Sequence, residues 1–230
     1  MFVLIDTALH INPMAMTWSL LAAVNLLGTI AFAISGTFVG IQNKMDLFGI
    51  NMLAITTACG GGLLRDLVIG ITPPMLCRNP SYVAISAVVA NVIFIFLYLH
   101  KEMPARLEKI NSLALFWFDT LGLAAFSVNG VMIGVRVGYR AERNMLLLVF
   151  LGFLTGVGGG LLRDVLARRI PDIFTKHIYA IASIIGALVT VLILVFLQKQ
   201  TLAMTAGFFV VVLLRLLASH FRWNLPKISD

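Results

Sequence analysis

Charge is what this chain has least of. Asp, Glu, Lys and Arg supply 12% of its 230 residues, about half the share of an ordinary soluble domain. A fold built around a continuous water-facing surface is excluded, and the 60% hydrophobic content marks an integral membrane protein. Short alternating strands are missing too, while runs of about 20 apolar residues recur, so helices are expected rather than a barrel. Cysteine is scarce: Cys59 falls inside a span and Cys77 in a short loop, a spacing that suggests neither a metal site nor a disulfide. The start of the chain lacks a basic stretch and a small-residue cleavage site, so the first span is expected to act as an uncleaved signal. Acidic residues, 10 against 17 basic ones, are the rarer sign. The basic residues lie between apolar runs, which fits anionic lipid headgroups as partners and excludes nucleic acid.

Catalytic groupings are also lacking. His10, His100, His177 and His220 all fall at span ends or in loops. Ser35 is followed by Gly36 but has no glycine before it, and no His lies on a convincing partner helix. No nucleotide-binding loop or clustered metal ligands occur, so neither an enzyme nor a bound cofactor or metal is expected.

What is present is an all-α membrane domain occupying 1–230, with seven predicted spans. These run from Trp18 to Ile41, Leu47 to Gly70, Tyr82 to Leu99, Leu113 to Val135, Met145 to Leu166, Ile178 to Leu197 and Leu202 to His220. Between the third and fourth lies the most polar stretch, His100 to Lys109. On the N-terminal side stand Arg78, Arg136, Arg140, Arg143 and Lys199. Nine basic residues stand on the other side, among them Lys44, Arg106, Arg168, Arg169 and Arg222. That excess predicts an outside N-terminus and a cytoplasmic C-terminus in a bacterial or archaeal plasma membrane.

One motif occurs twice: Gly60-Gly61-Gly62-Leu63-Leu64-Arg65-Asp66 and Gly158-Gly159-Gly160-Leu161-Leu162-Arg163-Asp164. The repeat reaches further. Gly28, Phe32, Gly36 and Gly40 match Gly122, Phe126, Gly130 and Gly134, while Pro74 and Tyr82 match Pro171 and Tyr179. Spans one to three (18–99) thus recur as spans four to six (113–197), and the span at 202–220 is extra. Three spans is an odd number, so the second copy enters from the opposite side and the halves form an inverted repeat.

Three successive glycines cost a helix about 1 kcal/mol each relative to Ala, so each triplet is expected to break its helix. Backbone broken at that depth is tolerated only where it is buried in protein or lines a wet cavity. Freed carbonyls, joined by the Thr57 and Thr155 hydroxyls, are then expected to replace part of an ion's water shell. Alternatively these threonines, like Thr56, simply bond back to their own helices. Gly36-x-x-x-Gly40 and Gly130-x-x-x-Gly134 read as close-packing faces.

Adjacent helical residues point about 100° apart, so Arg65 and Arg163 are expected to reach groups on other helices rather than Asp66 and Asp164. A place on a solute path and a structural lock both stay open for the aspartates; a gate or tie fits the arginines better than cation coordination. Asn25, Asn91 and Asn129 are expected to bond across helices. Asp119 is read as favouring a helix N-terminus, and Arg215 as snorkelling to the surface.

The doubled motif, in spans two and five of a seven-span inverted repeat, resembles the prokaryotic trimeric intracellular cation (TRIC) channels from about Leu20 to Phe221. The resemblance implies a homotrimer with one pore per subunit, conducting monovalent cations, chiefly potassium. It makes Gly60, Gly61, Gly62, Gly158, Gly159 and Gly160 kink residues, and Arg65, Asp66, Arg163 and Asp164 the charged motif. The Lys-Glu-Val element that animal members use for phosphoinositides has no counterpart, since Lys101-Glu102-Met103 lies in a loop. Bacterial sequences of the same repeat plan are also described as glycine transporters, so a carrier of a small amino acid is the alternative.

Overall fold

The computed structural model describes residues 13–99, 106–175, 178–221 and 223. His10, His100, His177 and the Lys101-Glu102-Met103 string lie outside them. The described residues form helices and no strand: α1 Pro13–Gln42, α2 Leu47–Val68, α3 Met75–Arg78, α4 Ser81–Leu99, α5 Arg106–Val137, α6 Met145–Leu166, α7 Asp172–Thr175, α8 Tyr179–Phe196 and α9 Gln200–His220. Seven are long and apolar enough to cross a bilayer, and they coincide with the expected spans to within a few residues. The chain is a multi-pass membrane protein. The largest difference at an end is α5, which starts at Arg106 and draws part of the polar connector into the helix.

Local chemistry sets several ends. The Asp46 carboxylate accepts a hydrogen bond from Gly49 N at 2.7 Å, which caps α2. Gly138, at φ +114°, lets the chain leave α5 in a conformation other residues avoid.

Helices α1, α2 and α4 pack on one another, as do α5, α6 and α8. The two groups meet through α1 against α5 and α2 against α6, while α9 leans on α5 and α8. Successive helices alternate in direction. One face of the bundle, the N-terminal face, therefore carries the start of α1 and the ends of α2 and α5. The far face carries the ends of α6 and α9. Helix α4 turns Val88, Val92, Ile95, Phe96 and Leu99 outward, an apolar face suited to lipid.

The glycine triplets do not break their helices: α2 and α6 run through them without interruption. In apolar surroundings no water competes for the backbone hydrogen bonds, so the helix persists despite its glycines. The triplets are where α2 and α6 touch backbone to backbone. A Cβ on Gly61 would collide with the Thr155 carbonyl oxygen, and one on Gly159 with the Thr57 carbonyl oxygen. A Cβ on Gly158 would lie 3.1 Å from Gly61 Cα, and one on Gly60 2.6 Å from Leu162 Cδ1. Close approach of this kind is how membrane helices gain contact without a hydrophobic drive. Carbonyls are therefore not released to ligate an ion. The third glycine of each set points elsewhere, Gly62 toward Arg65 and Gly160 toward the Tyr179 hydroxyl. Gly36 and Gly130 behave as expected: a Cβ on either would lie 2.8 Å from a backbone Cα, of Ala54 and Gly152 respectively.

Candidate functional site

Both motif arginines reach other helices, as expected, but they also fold onto their own aspartates, which helical geometry was expected to disfavour. Arg65 Nε and Nη2 donate to Asp66 Oδ1 at 3.0 and 2.7 Å. Arg163 Nε donates to Asp164 Oδ1 at 2.9 Å and its Nη2 to Oδ2 at 3.1 Å. The 100° separation holds for Cβ directions, but a guanidinium on a three-carbon stem reaches round it. The short helices α3 and α7, which the sequence reading missed, complete each site. Met75 N donates to Asp66 Oδ2 at 2.8 Å, and Asp172 N to Asp164 Oδ2 at 3.0 Å.

Each arginine also crosses to the other group of helices. Arg65 Nη1 donates to Asn129 Oδ1 on α5 at 3.1 Å, and Arg163 Nη1 to Ser35 Oγ on α1 at 2.5 Å. Ser35 and Asn129 directly precede Gly36 and Gly130, so the matched glycines were the signal that pointed to them. The cross-helix role expected of Asn129 is therefore present. Asn91 likewise donates to Asn51 Oδ1 at 3.0 Å.

The two sites then diverge. At the second, Asp119 occupies the register that Asn25 holds in the first. Asp119 is not a helix cap: it lies well inside α5, 2% exposed, and accepts from Arg163 Nη1 at 2.8 Å. Arg215 does not snorkel either. It is 4% exposed, 3.6 Å from Asp119 Oδ2, with its guanidinium over the Phe116 and Tyr179 rings at 5.1 and 4.7 Å. A buried carboxylate draws it inward more strongly than the surface does. Arg169 Nη2 adds a bond to Asp164 Oδ1 at 2.9 Å, and Asp172 lies 3.7 Å from Arg163. Asp119, Arg169, Asp172 and Arg215 were not read from sequence as parts of this cluster.

The first site instead borders a cavity of about 380 Å³. It reaches the N-terminal face beside Arg78 and Asn79 and passes Asn25, Gly62, Arg65 and Asp66. Its base is Phe126 and Thr155. The Phe126 ring packs on Phe32, centroids 5.3 Å apart. Thr155 and Thr57 both bond back to their own helices, to Leu151 O and Leu53 O at 2.6 Å. Thr155 borders the cavity; Thr57 sits behind it against Gly36.

Cys59 also borders the cavity, whereas Cys77 is exposed on the surface, and neither is disulfide-bonded. With Cys77→Ser in place, an impermeant methanethiosulfonate reagent applied from the N-terminal face should label Cys59. Labelling from the far face should be negligible. Mass spectrometry of protein labelled in oriented proteoliposomes checks this, and equal labelling from both faces would contradict the one-sided cavity.

A family model described as "Glycine transporter" matches residues 22–98 and again 116–195. The UPF0126 inner membrane protein YadS of Escherichia coli is 37% identical over 208 residues, 90% of this chain and 95% of that protein. A UPF0126 membrane protein of Vibrio cholerae is 33% identical over 219 residues, 94% and 85% of the respective chains. A solved TRIC cation channel superposes with TM-score 0.76 at 30% identity, covering 91% of this chain and 97% of that one. The TRIC trimeric intracellular cation channel orthologue from Rhodobacter sphaeroides gives 0.77 at 29% identity, covering 89% and 100%. The chain thus belongs to the membrane-protein family of the glycine-transporter model and the UPF0126 proteins, and has the fold of the prokaryotic TRIC channels.

Proposed function

We propose that this chain is a monovalent-cation channel, permeable to potassium, with one pore in each subunit of a homotrimer. The observation that carries the reading is the cavity of about 380 Å³ that enters the bundle between its two groups of helices and ends on the motif helices. In this reading 18–99 and 113–197 are inverted repeats, and the crossing of α2 and α6 at Gly60–Gly62 and Gly158–Gly160 is the constriction. Arg65–Asp66 gates the N-terminal half and Arg163–Asp164 the far half. Thr155 offers its hydroxyl oxygen at the cavity floor, with Thr57 behind it, and Asp66 offsets the Arg65 charge along the wall. The likeness to solved cation channels at about 30% identity supports cations as the permeant species.

The constriction has no ring of free carbonyls of the kind that makes a selective potassium filter, so discrimination among monovalent cations is expected to be weak. Planar bilayers containing purified protein under a potassium gradient should show discrete unitary currents, with sodium passing almost as well. Folded trimer without unitary currents would overturn the channel reading.

A second reading, a carrier for a small zwitterion such as glycine, is favoured by one feature. The cavity opens on one face, while the matching region near the other face is sealed around Arg163, and Arg78 and Arg136 line the cavity. Guanidinium groups suit a carboxylate, and one-sided access suits a carrier that alternates. Saturable glycine uptake into proteoliposomes, without unitary currents, would decide for it.

A further inference from the structure

The second half of the bundle holds a charge arrangement that the doubled motif does not account for. Asp119, Asp164 and Asp172 are gathered with Arg163, Arg169 and Arg215, linked by contacts of 2.8 to 3.7 Å. Five of these residues lie in the span that repeats. Arg215 alone comes from α9, which has no counterpart in the first half. Where the first half has Asn25 and a cavity, the second has Asp119 and the Arg215 side chain.

The Arg215 contact, like that of Arg163 with Asp172, is a long one. Arg215 Nη2 stands 3.6 Å from Asp119 Oδ2, beyond hydrogen-bond range. Both Asp119 Oδ2 and Arg215 Nε are buried without a hydrogen-bond partner, a costly condition for charged atoms. What holds the guanidinium is opposite charge and two ring faces, Phe116 at 5.1 Å and Tyr179 at 4.7 Å. Those are the elements that hold a mobile cation. If Arg215 withdraws, Asp119 keeps Arg163 on Oδ1, while its buried Oδ2 loses the guanidinium beside it.

We propose that Asp119, with the Phe116 and Tyr179 rings that face the Arg215 guanidinium, forms a monovalent-cation site on the far half of the bundle, and that Arg215 is a tethered cation that fills it and keeps that half shut. The inference rests on the channel reading for its purpose, but its test does not need a current. Val157 occupies the register that Cys59 holds beside the open cavity, and it is 2% exposed. In a Cys59→Ser, Cys77→Ser background, Val157→Cys reports whether the far half has opened.

In oriented proteoliposomes, an impermeant thiol reagent added from the far face should leave Val157→Cys unmodified. Adding Arg215→Gln should speed modification about tenfold or more, because the shut state loses its tie. Potassium should slow that modification relative to N-methyl-D-glucamine, and Asp119→Asn should abolish the protection. Modification of folded Arg215→Gln as slow as in its parent would overturn the plug. Fast modification without potassium protection would overturn the cation site. If Arg215→Gln does not fold in either ion, while the charge-matched Asp119→Asn/Arg215→Gln pair does, the site is likewise overturned; folding in potassium alone would support it. Accessibility that switches as expected in a protein without unitary currents would remove the channel reading and leave this site standing.

Discussion

Gly61→Ala and Gly159→Ala should each destabilise the protein severely, while Gly62→Ala in the same triplet should be tolerated. A methyl on Gly61 or Gly159 falls on a backbone carbonyl oxygen of the opposing helix, and backbone cannot rotate aside as a side chain can. Overpacking a core ordinarily costs about 1–3 kcal/mol, and these two positions belong at or above the top of that range. At about 2–4 °C per kcal/mol for a chain of this size, Tm should fall by roughly 6–12 °C. A Cβ on Gly62 would meet only Arg65 Nη2, at 3.6 Å, an ordinary contact. The helix propensity gained there, up to about 1 kcal/mol, should leave Tm unchanged or raised. Thermal unfolding of the three variants in one detergent, followed by size-exclusion chromatography, measures the contrast. Equal Tm values for Gly61→Ala and Gly62→Ala would mean that the helices do not meet at the triplets.

That contrast depends on a contact that residue types alone do not encode. The spans were legible because a bilayer demands a fixed length of apolar helix, and no other element of the chain could supply it. The motif pointed to Arg65, Asp66, Arg163 and Asp164 because ionised groups at that depth need partners. The triplets resemble breaks in sequence because helix propensities reflect a backbone with water at hand. Between two membrane helices the same residues remove side chains from a contact and leave the hydrogen bonds intact.

The pairing of Asp119 with Arg215 is hidden in the sequence for another reason. Their distance from the span ends was legible, but the helix face each occupies was not, and their mutual partner lies across the repeat boundary. Four-residue helices such as α3 and α7 carry no periodicity to detect. Only the backbone N–H groups of Met75 and Asp172 on the motif carboxylates reveal their purpose.

The largest expected difference lies between two substitutions that the repeat makes equivalent. Arg163→Met should abolish folding, whereas Arg65→Met should yield folded, weakened protein. Arg163 is fully buried and touches Asp119, Asp164, Asp172 and Ser35. Its loss takes from Asp119 and Asp164 the guanidinium that bonds both of them, while Arg169 and Arg215 each touch just one of the pair. Removing one partner of a buried ion pair costs about 3–5 kcal/mol, and here several carboxylates lose it together. That cost is comparable with the whole stability of a typical domain, about 5–15 kcal/mol. Arg65 serves one carboxylate, Asp66, and both border the cavity that opens to the N-terminal face. Solvent entering there can hydrate Asp66 when its partner is gone, and Met75 N continues to donate to it. Yield of monodisperse protein after extraction in mild detergent gives the comparison, with Arg163→Lys as a control that restores charge but not the forked geometry. Similar yields for Arg163→Met and Arg65→Met would show that the two ends of the bundle are equally open to water, and would undo the asymmetry on which a shut far half depends.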